Sequence, residues 1–213
     1  MIILALEFSP AQRSVALARG GNVLAETSET GGRGTNAFGM IGKVLAAAKI
    51  GRGEIECLAV GLGPGSYTGI RVALSIAQGW QLATGVKLLG IGSVDCLAAQ
   101  AQAEKIFGRV NVVIDAQRGE FYLATFEISA DGVKEIAPLK IVAAEVGSRL
   151  HVGEIVIGPE VTQWFAAGKN LFPQAAMLAA LAARRDNFTA REKLEPVYLR
   201  ETNFLKVSAQ RPA

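Results

Sequence analysis

The sequence is poor in the residues that most often carry catalysis. It holds one histidine, His151, and two cysteines, Cys57 and Cys96. A tetrahedral zinc site takes about four Cys, His or carboxylate ligands. Neither that set nor an H-E-x-x-H pair is present, so no metal site is expected. Both cysteines lie among apolar residues, which reads as buried, reduced thiols and fits a cytoplasmic chain. Charged residues make up only 19%, below the ~25% usual in globular domains. Much surface is therefore expected to be hidden inside the fold or against a partner. Aromatic residues are 7% and the net charge is +3. With no interleaved basic and aromatic run, a plain RNA-binding module is disfavoured. No apolar stretch reaches the ~18 residues of a membrane span. The start "MIILALEFSP" has no basic residue, and Glu7 ends its apolar run. It reads as a strand rather than a signal peptide.

What is present is hydrophobic mass and glycine: 50% hydrophobic residues and 24 glycines in 213. That length suits one large domain or two small ones with a sizeable core. "MIILALEF" predicts a buried strand, and "RSVALARGGNVLAETSE" a hairpin turning at Gly20-Gly21. Residues 36–49 have helical periodicity, with Phe38, Ile41, Leu45 and Ala48 on one face. "ECLAVGL" (56–62) predicts a buried strand. Ser66 to Thr84 predicts a long helix capped by Ser66 and ended by Gly85. "VKLLGI" is a strand, and 93–105 a helix with Ser93 as its N-cap. Then "RVNVVIDAQRGEFYLATFEIS" predicts two strands around a turn at 117–119, with "GVKEI" as a third. "EIVIG" (154–158) is a strand, 173–184 a helix with Pro173 near its first turn, and "LEPVYLRETNF" an extended tail. Helices alternating with apolar strands, in two similar rounds, indicate an α/β fold with mixed sheets. The division falls near 93–108, giving packed lobes at 1–100 and 101–213.

The most distinctive stretch is "GLGPGSYTGIRVALSIAQGW", residues 61–80. It is not a P-loop, because Ile70 follows Gly69 where a lysine is needed. It is not a dinucleotide fingerprint, because Ser66 and Thr68 stand where glycines are required. The nucleophile elbow G-x-S-x-G fails at Pro64 and Thr68. What remains is a helix N-terminus with free amides. Gly63, Gly65, Ser66, Thr68, Gly69 and Arg71 are candidates for phosphate contact or, more simply, for a structural loop in which Ser66 is the N-cap. Ser66, Asp115 and His151 also occur in hydrolase chain order, which keeps a serine hydrolase using Ser66 as an alternative.

The helix after the loop is apolar nearly all round, with Ile70, Leu74, Ala77 and Gln81 on one face and Val72, Ile76, Gly79 and Ala83 on another. Such a helix is covered on more than one side. In 36–49, Gly39, Gly42 and Ala46 make a small-residue face. Each helical glycine costs about 0.8–1 kcal/mol relative to alanine, a cost that close helix approach would offset. Gly39, Met40, Gly42, Lys43, Ala46, Val72, Ile76, Ala77 and Trp80 are the candidate partner interface. Without that partner, the same surface suits a homodimer.

The 61–79 stretch closely resembles the signature of the TsaB (YeaZ) family, G-x-G-P-G-S-[FY]-T-G-[IVL]-R followed by A-Q-G. "LEFSPAQRSVAL" (6–17), "IDAQRGEFYLATF" (114–126), "GPE" (158–160) and "PVYLR" (196–200) are similar to further family motifs, in order, across nearly the whole chain. The resemblance implies an actin-like, Hsp70-like (ASKHA) fold of two related lobes. It implies a non-catalytic subunit for making N6-threonylcarbamoyladenosine at position 37 of tRNAs reading codons that begin with A. The implied partners are TsaD, the metal-holding transferase, and TsaE, an ATPase, with tRNA met through the complex and no membrane. No cofactor of its own is implied, although ATP or ADP at a subunit interface fits the family. Glu7-Phe8-Ser9 stands where many relatives have Asp-Thr-Ser, and Phe8 argues against independent ATP turnover. Gln117 and Gly158-Pro159-Glu160 also depart from the pattern, as does the Arg33-Gly34-Thr35 loop. An actin-like small-molecule kinase or ATPase is the other enzyme alternative.

Overall fold

The computed structural model describes residues 1–30, 34, 36–147 and 154–199. His151, Arg33, Thr35 and Arg200 lie outside them. Two five-stranded sheets form the frame. In the first, β1 (Ile2–Glu7), β2 (Gln12–Arg19) and β3 (Asn22–Thr30) form an antiparallel meander, and β4 (Cys57–Gly61) and β5 (Lys87–Ile91) extend it in parallel beyond β1, giving the order β3-β2-β1-β4-β5. The hairpin turns at Gly20-Gly21 as the sequence predicts. Both have positive φ, 57° and 89°, which suits the right-handed twist of the flanking strands.

The second sheet repeats the plan. β6 (Gly108–Gln117), β7 (Glu120–Ile128) and β8 (Val133–Ala143) are an antiparallel meander, and β9 (Ile155–Gly158) and β10 (Lys169–Asn170) add in parallel beyond β6. The order β10-β9-β6-β7-β8 is that of the first sheet read from the other end. The short "GVKEI" strand of the sequence reading extends through Ala143, because β7 offers it a full-length edge.

Strand β1 is buried on both faces. Leu4 and Leu6 join the core under two helices, α1 (Ala37–Ala48) and α2 (Tyr67–Thr84). Ile3 and Ala5 face the other way, onto α5 (Ala175–Ala182). Between them α3 (Ser93–Ala103) packs Val94, Leu97, Ala98 and Ala101 on the second sheet, and α4 (Ala144–Gly147) is a single turn after β8. The helices thus do not divide at residue 100. Helix α5 follows the second sheet in sequence but covers the first, and Ser14 Oγ on β2 accepts a hydrogen bond from the Ala175 amide at 2.8 Å.

Two local readings change. Ser93 does not cap α3; Gly92 takes that place. The Ser93 hydroxyl instead donates to Glu7 Oε2 at 3.2 Å and shares a hydrogen bond with Ser9 Oγ at 2.9 Å. Phe38 does not share the buried face of α1. That face is Ala37, Met40, Ile41, Val44 and Leu45, and Phe38 is 69% exposed.

Candidate functional site

The glycine loop and α2 start together. Ser66 caps α2 as expected, its Oγ accepting from Gly69 N at 3.2 Å, and Gly85 closes the helix in the left-handed conformation. The peptide Gly63-Pro64 is cis. The loop is pressed onto the end of β1: Ser66 N donates to the Ser9 carbonyl at 2.7 Å, and Ser93 N to the Gly63 carbonyl at 2.8 Å. A Cβ on Gly69 would overlap the Phe8 carbonyl oxygen, one on Gly65 the Ser9 carbonyl, and one on Gly61 the Glu7 carboxylate. These glycines let the loop lie directly against residues 7–9. Phe8 itself is fully buried in the first core.

Glu7 is also fully buried, and its carboxylate accepts from Ser9 N at 2.9 Å as well as from Ser93. Burial pushes its pKa up to about 7 against the opposing pull of these hydrogen bonds. Both thiols are likewise raised by burial, Cys57 to about 11, and both are free. Among the described residues, no cluster of His, Cys, Asp and Glu is arranged to hold a metal ion, and no helix is long and apolar enough to cross a membrane.

The loop candidates do not converge on one point. Arg71 turns away from the amides. Its guanidinium lies 3.6 Å from the centre of the Tyr67 ring, and its Nε donates to Tyr198 Oη at 3.0 Å. Thr68 is exposed on the outer side of α2, while Gly63 and Gly69 are buried. The Asp115 carboxylate accepts from the Gln117 amide and side chain, both at 2.7 Å.

The outward face of α2 meets α1 across a groove of about 850 Å³, lined among others by Phe38, Ile41, Tyr67, Val72, Ile76 and Trp80. Val72, Ile76 and Trp80 are half-buried, Gly79 and Ala83 are exposed, and Leu82 is 72% exposed. The second apolar face of α2 is therefore only half covered among the described residues: Val72, Ile76 and Trp80 pack partly against the first core and stay partly open to the groove. Phe38 and Tyr67 are part of this surface and were missed from sequence. Their exposure follows from helix rotation, which the apolar pattern alone does not fix.

The proposed interface residues separate on this geometry. Gly42, Lys43 and Ala46 are on the outer side of α1, and Lys43 pairs with Glu29 at 3.1 Å. Met40 and Ala77 correct the expectation. Both are fully buried beneath their helices against the first sheet, because each sits about half a turn from its helix's outward stripe. The glycines separate too. A Cβ on Gly39 would strike the capping Asn36 side chain, so that glycine has a reason within the chain. Gly42 and Gly79 have open space beyond them. Nothing described in the chain requires either to lack a side chain.

The sequence matches the family model described as "TsaD: tRNA N6-adenosine threonylcarbamoyltransferase" over residues 35–190. It is 29% identical to the Escherichia coli (strain K12) protein named tRNA threonylcarbamoyladenosine biosynthesis protein TsaB, over 94% of this chain and 95% of that one. The chain belongs to the TsaB (YeaZ) family. An uncharacterized protein of Mycobacterium tuberculosis (strain H37Rv) is 31% identical over 73% of this chain and 69% of its own length. The solved structure of YeaZ from Pseudomonas aeruginosa superposes with a TM-score of 0.80 at 25% identity, covering 93% of this chain and 99% of that one. Component A of the (R)-2-hydroxyglutaryl-CoA dehydratase of Acidaminococcus fermentans shares the fold at a TM-score of 0.51 and 9% identity, over 91% of this chain and 99% of that one. The fold is the two-lobed, actin-like one that the family resemblance implied, and the doubled sheet order is its internal repeat.

Proposed function

We propose that this chain is a non-catalytic subunit in the formation of N6-threonylcarbamoyladenosine at position 37 of tRNA, docking onto a TsaD-type transferase and activating it. One observation carries the docking: an apolar groove between α1 and α2, flanked by two helical glycines, Gly42 and Gly79, with no packing reason inside the chain. Each glycine costs the free helix about 0.8–1 kcal/mol. A partner helix resting on that surface accounts for both the apolar lining and the missing side chains. The absence of a catalytic subunit's role is read from the loop. Its glycines are spent on packing against β1, Phe8 fills the core, and Ser66 is committed as a helix cap.

The groove suits a protein surface better than a nucleic acid, because its walls are mostly apolar with Arg52 and Arg71 as the cations. The test is co-purification with the TsaD-type subunit of the same cell. Gly42→Arg and Gly79→Arg should each abolish it while leaving the free chain folded, since both side chains point into open space. Complexes that survive both changes would remove the groove as the docking site. Ala77→Arg is unsuitable, because it places a charge inside the first core. Deleting the gene and measuring threonylcarbamoyladenosine by mass spectrometry tests the broader role. An unchanged level would overturn it.

A further inference from the structure

The groove between α1 and α2 carries charge of one sign. Arg52 and Arg71 are the charged side chains of its lining, and no carboxylate lines it with them. Neither arginine pairs with a carboxylate among the described residues. Arg71 is nevertheless held in place. Its guanidinium sits 3.6 Å from the centre of the Tyr67 ring, and its Nε donates to the Tyr198 hydroxyl at 3.0 Å. The two terminal nitrogens are left as a preset fork, the geometry that takes a carboxylate.

The two arginines stand at opposite ends. β3 runs in the direction of β1 through two antiparallel pairings, and β4 through a parallel one. α1 follows β3 and α2 follows β4, on the same face of the sheet, so the two helices run the same way. Arg71 is in the second turn of α2. Arg52 lies just past the end of α1, level with the last turn of α2, whose Ala83 and Thr84 also line the groove. From Arg71 to Thr84 the helix rises about 20 Å at ~1.5 Å per residue. Between the two charges the lining is Ile41, Val72, Ile76, Gly79 and Trp80. An apolar channel between two parallel helices is the shape into which the side-chain ridge of a third helix packs.

We infer that the occupant of the groove is a helix of another protein with a carboxylate near each end and an apolar face of between three and four turns between them, one carboxylate seated on the Arg71 fork and the other on Arg52. This rests on the groove being the docking face, as proposed above, and adds the chemistry of the partner's side. Arginine and tyrosine are the residue types that most often dominate binding energy at interfaces, and the Tyr67–Arg71–Tyr198 stack lowers the entropy lost when the fork closes on its partner. The same charges select against a second copy of this chain, because two such grooves face to face bring arginines together with no carboxylate between them.

The test measures the affinity of the full chain for the TsaD-type subunit of the same cell by calorimetry, at low and at high salt. Binding of the wild type should weaken as salt rises. Arg52→Met and Arg71→Met keep the aliphatic stem and remove the charge. Each should weaken binding about tenfold or more and flatten the salt dependence. Arg71→Lys should restore the salt dependence but only part of the affinity, because an ammonium has no fork. Both arginines are exposed, so the free variants should melt as the wild type does. Wild-type binding that ignores salt, together with full affinity in both methionine variants, overturns the inference while leaving the docking face in place. A loss confined to one of the two variants overturns the two-ended occupant. Self-association of the wild type that tightens at low salt also overturns it, since a second copy would then supply the carboxylates. Failure of the wild type to bind the transferase at any salt removes the docking reading and this inference with it.

Discussion

The Ser93 hydroxyl reaches across to Glu7 Oε2 at 3.2 Å, tying the start of α3 to the end of β1. The two residues are 86 positions apart and both fully buried. Helix α3 packs on the second sheet and β1 is central to the first, so this contact ties the first sheet to a helix of the second.

That carboxyl makes stability depend on pH. Burial raises the Glu7 pKa from 4.5 to about 7, so the folded state holds its proton more tightly than the unfolded one. The protonated form is favoured on folding. The stability it supports is therefore complete below about pH 4.5 and is lost as pH rises to about 7, a change on the order of 3 kcal/mol. Glu7→Gln keeps the shape without the titration. Denaturation curves should show wild type losing stability relative to Glu7→Gln across that window. A difference that stays constant between those two pH values would show that Glu7 does not titrate in it.

Gly42 and Gly79 provide a test on the free chain alone. Each has open space where a Cβ would be and sits inside a regular helix. Gly42→Ala and Gly79→Ala should each raise stability by about 0.8–1 kcal/mol in urea titrations. Gly69→Ala, on the same helix as Gly79, should instead lower it by about 1–3 kcal/mol, because the new methyl meets the Phe8 carbonyl. If all three shift stability in the same direction, the separation into outward and packed glycines is wrong.

Ser14 is small and easily passed over on β2, yet its Oγ is the acceptor for the first amide of α5. Ser14→Ala leaves that buried donor without its partner, at a cost of about 1–3 kcal/mol. Hydrogen exchange should find the loss concentrated in α5 and the facing parts of β1 and β2. Uniform weakening of both lobes would assign Ser14 a different role.

The order of strands and helices was legible because buried strands are short apolar runs between turn residues, and because Ser66 and Gly85 mark the two ends of α2 chemically. Rotation was not legible. Met40 and Ala77 belong to helices with few charges, and an apolar pattern that runs nearly all round has no marker for its inner side. The cap of α3 was misread because Ser93 has a competing acceptor, Glu7, distant in sequence. Arg71 presented itself as an anion contact until a tyrosine 127 positions later claimed its guanidinium. Helix α5, "AAMLAALA", announces burial by composition but says nothing about which sheet it covers.

That last choice fixes an order of assembly. Ile3, Ala5, Ala16, Ala18, Cys57, Ala59, Leu89 and Ile91 form the underside of the first sheet, and α5 is what shields them. A ribosome completes all five strands of that sheet, and then the whole of the second, before residues 175–182 emerge. During that interval the nascent chain presents an apolar sheet face to solvent or to a chaperone. The amino-terminal half cut off near residue 100 would keep that surface permanently bare, so it should aggregate when expressed alone. The two lobes look like a duplicated pair, but the first matures only after the second has been made.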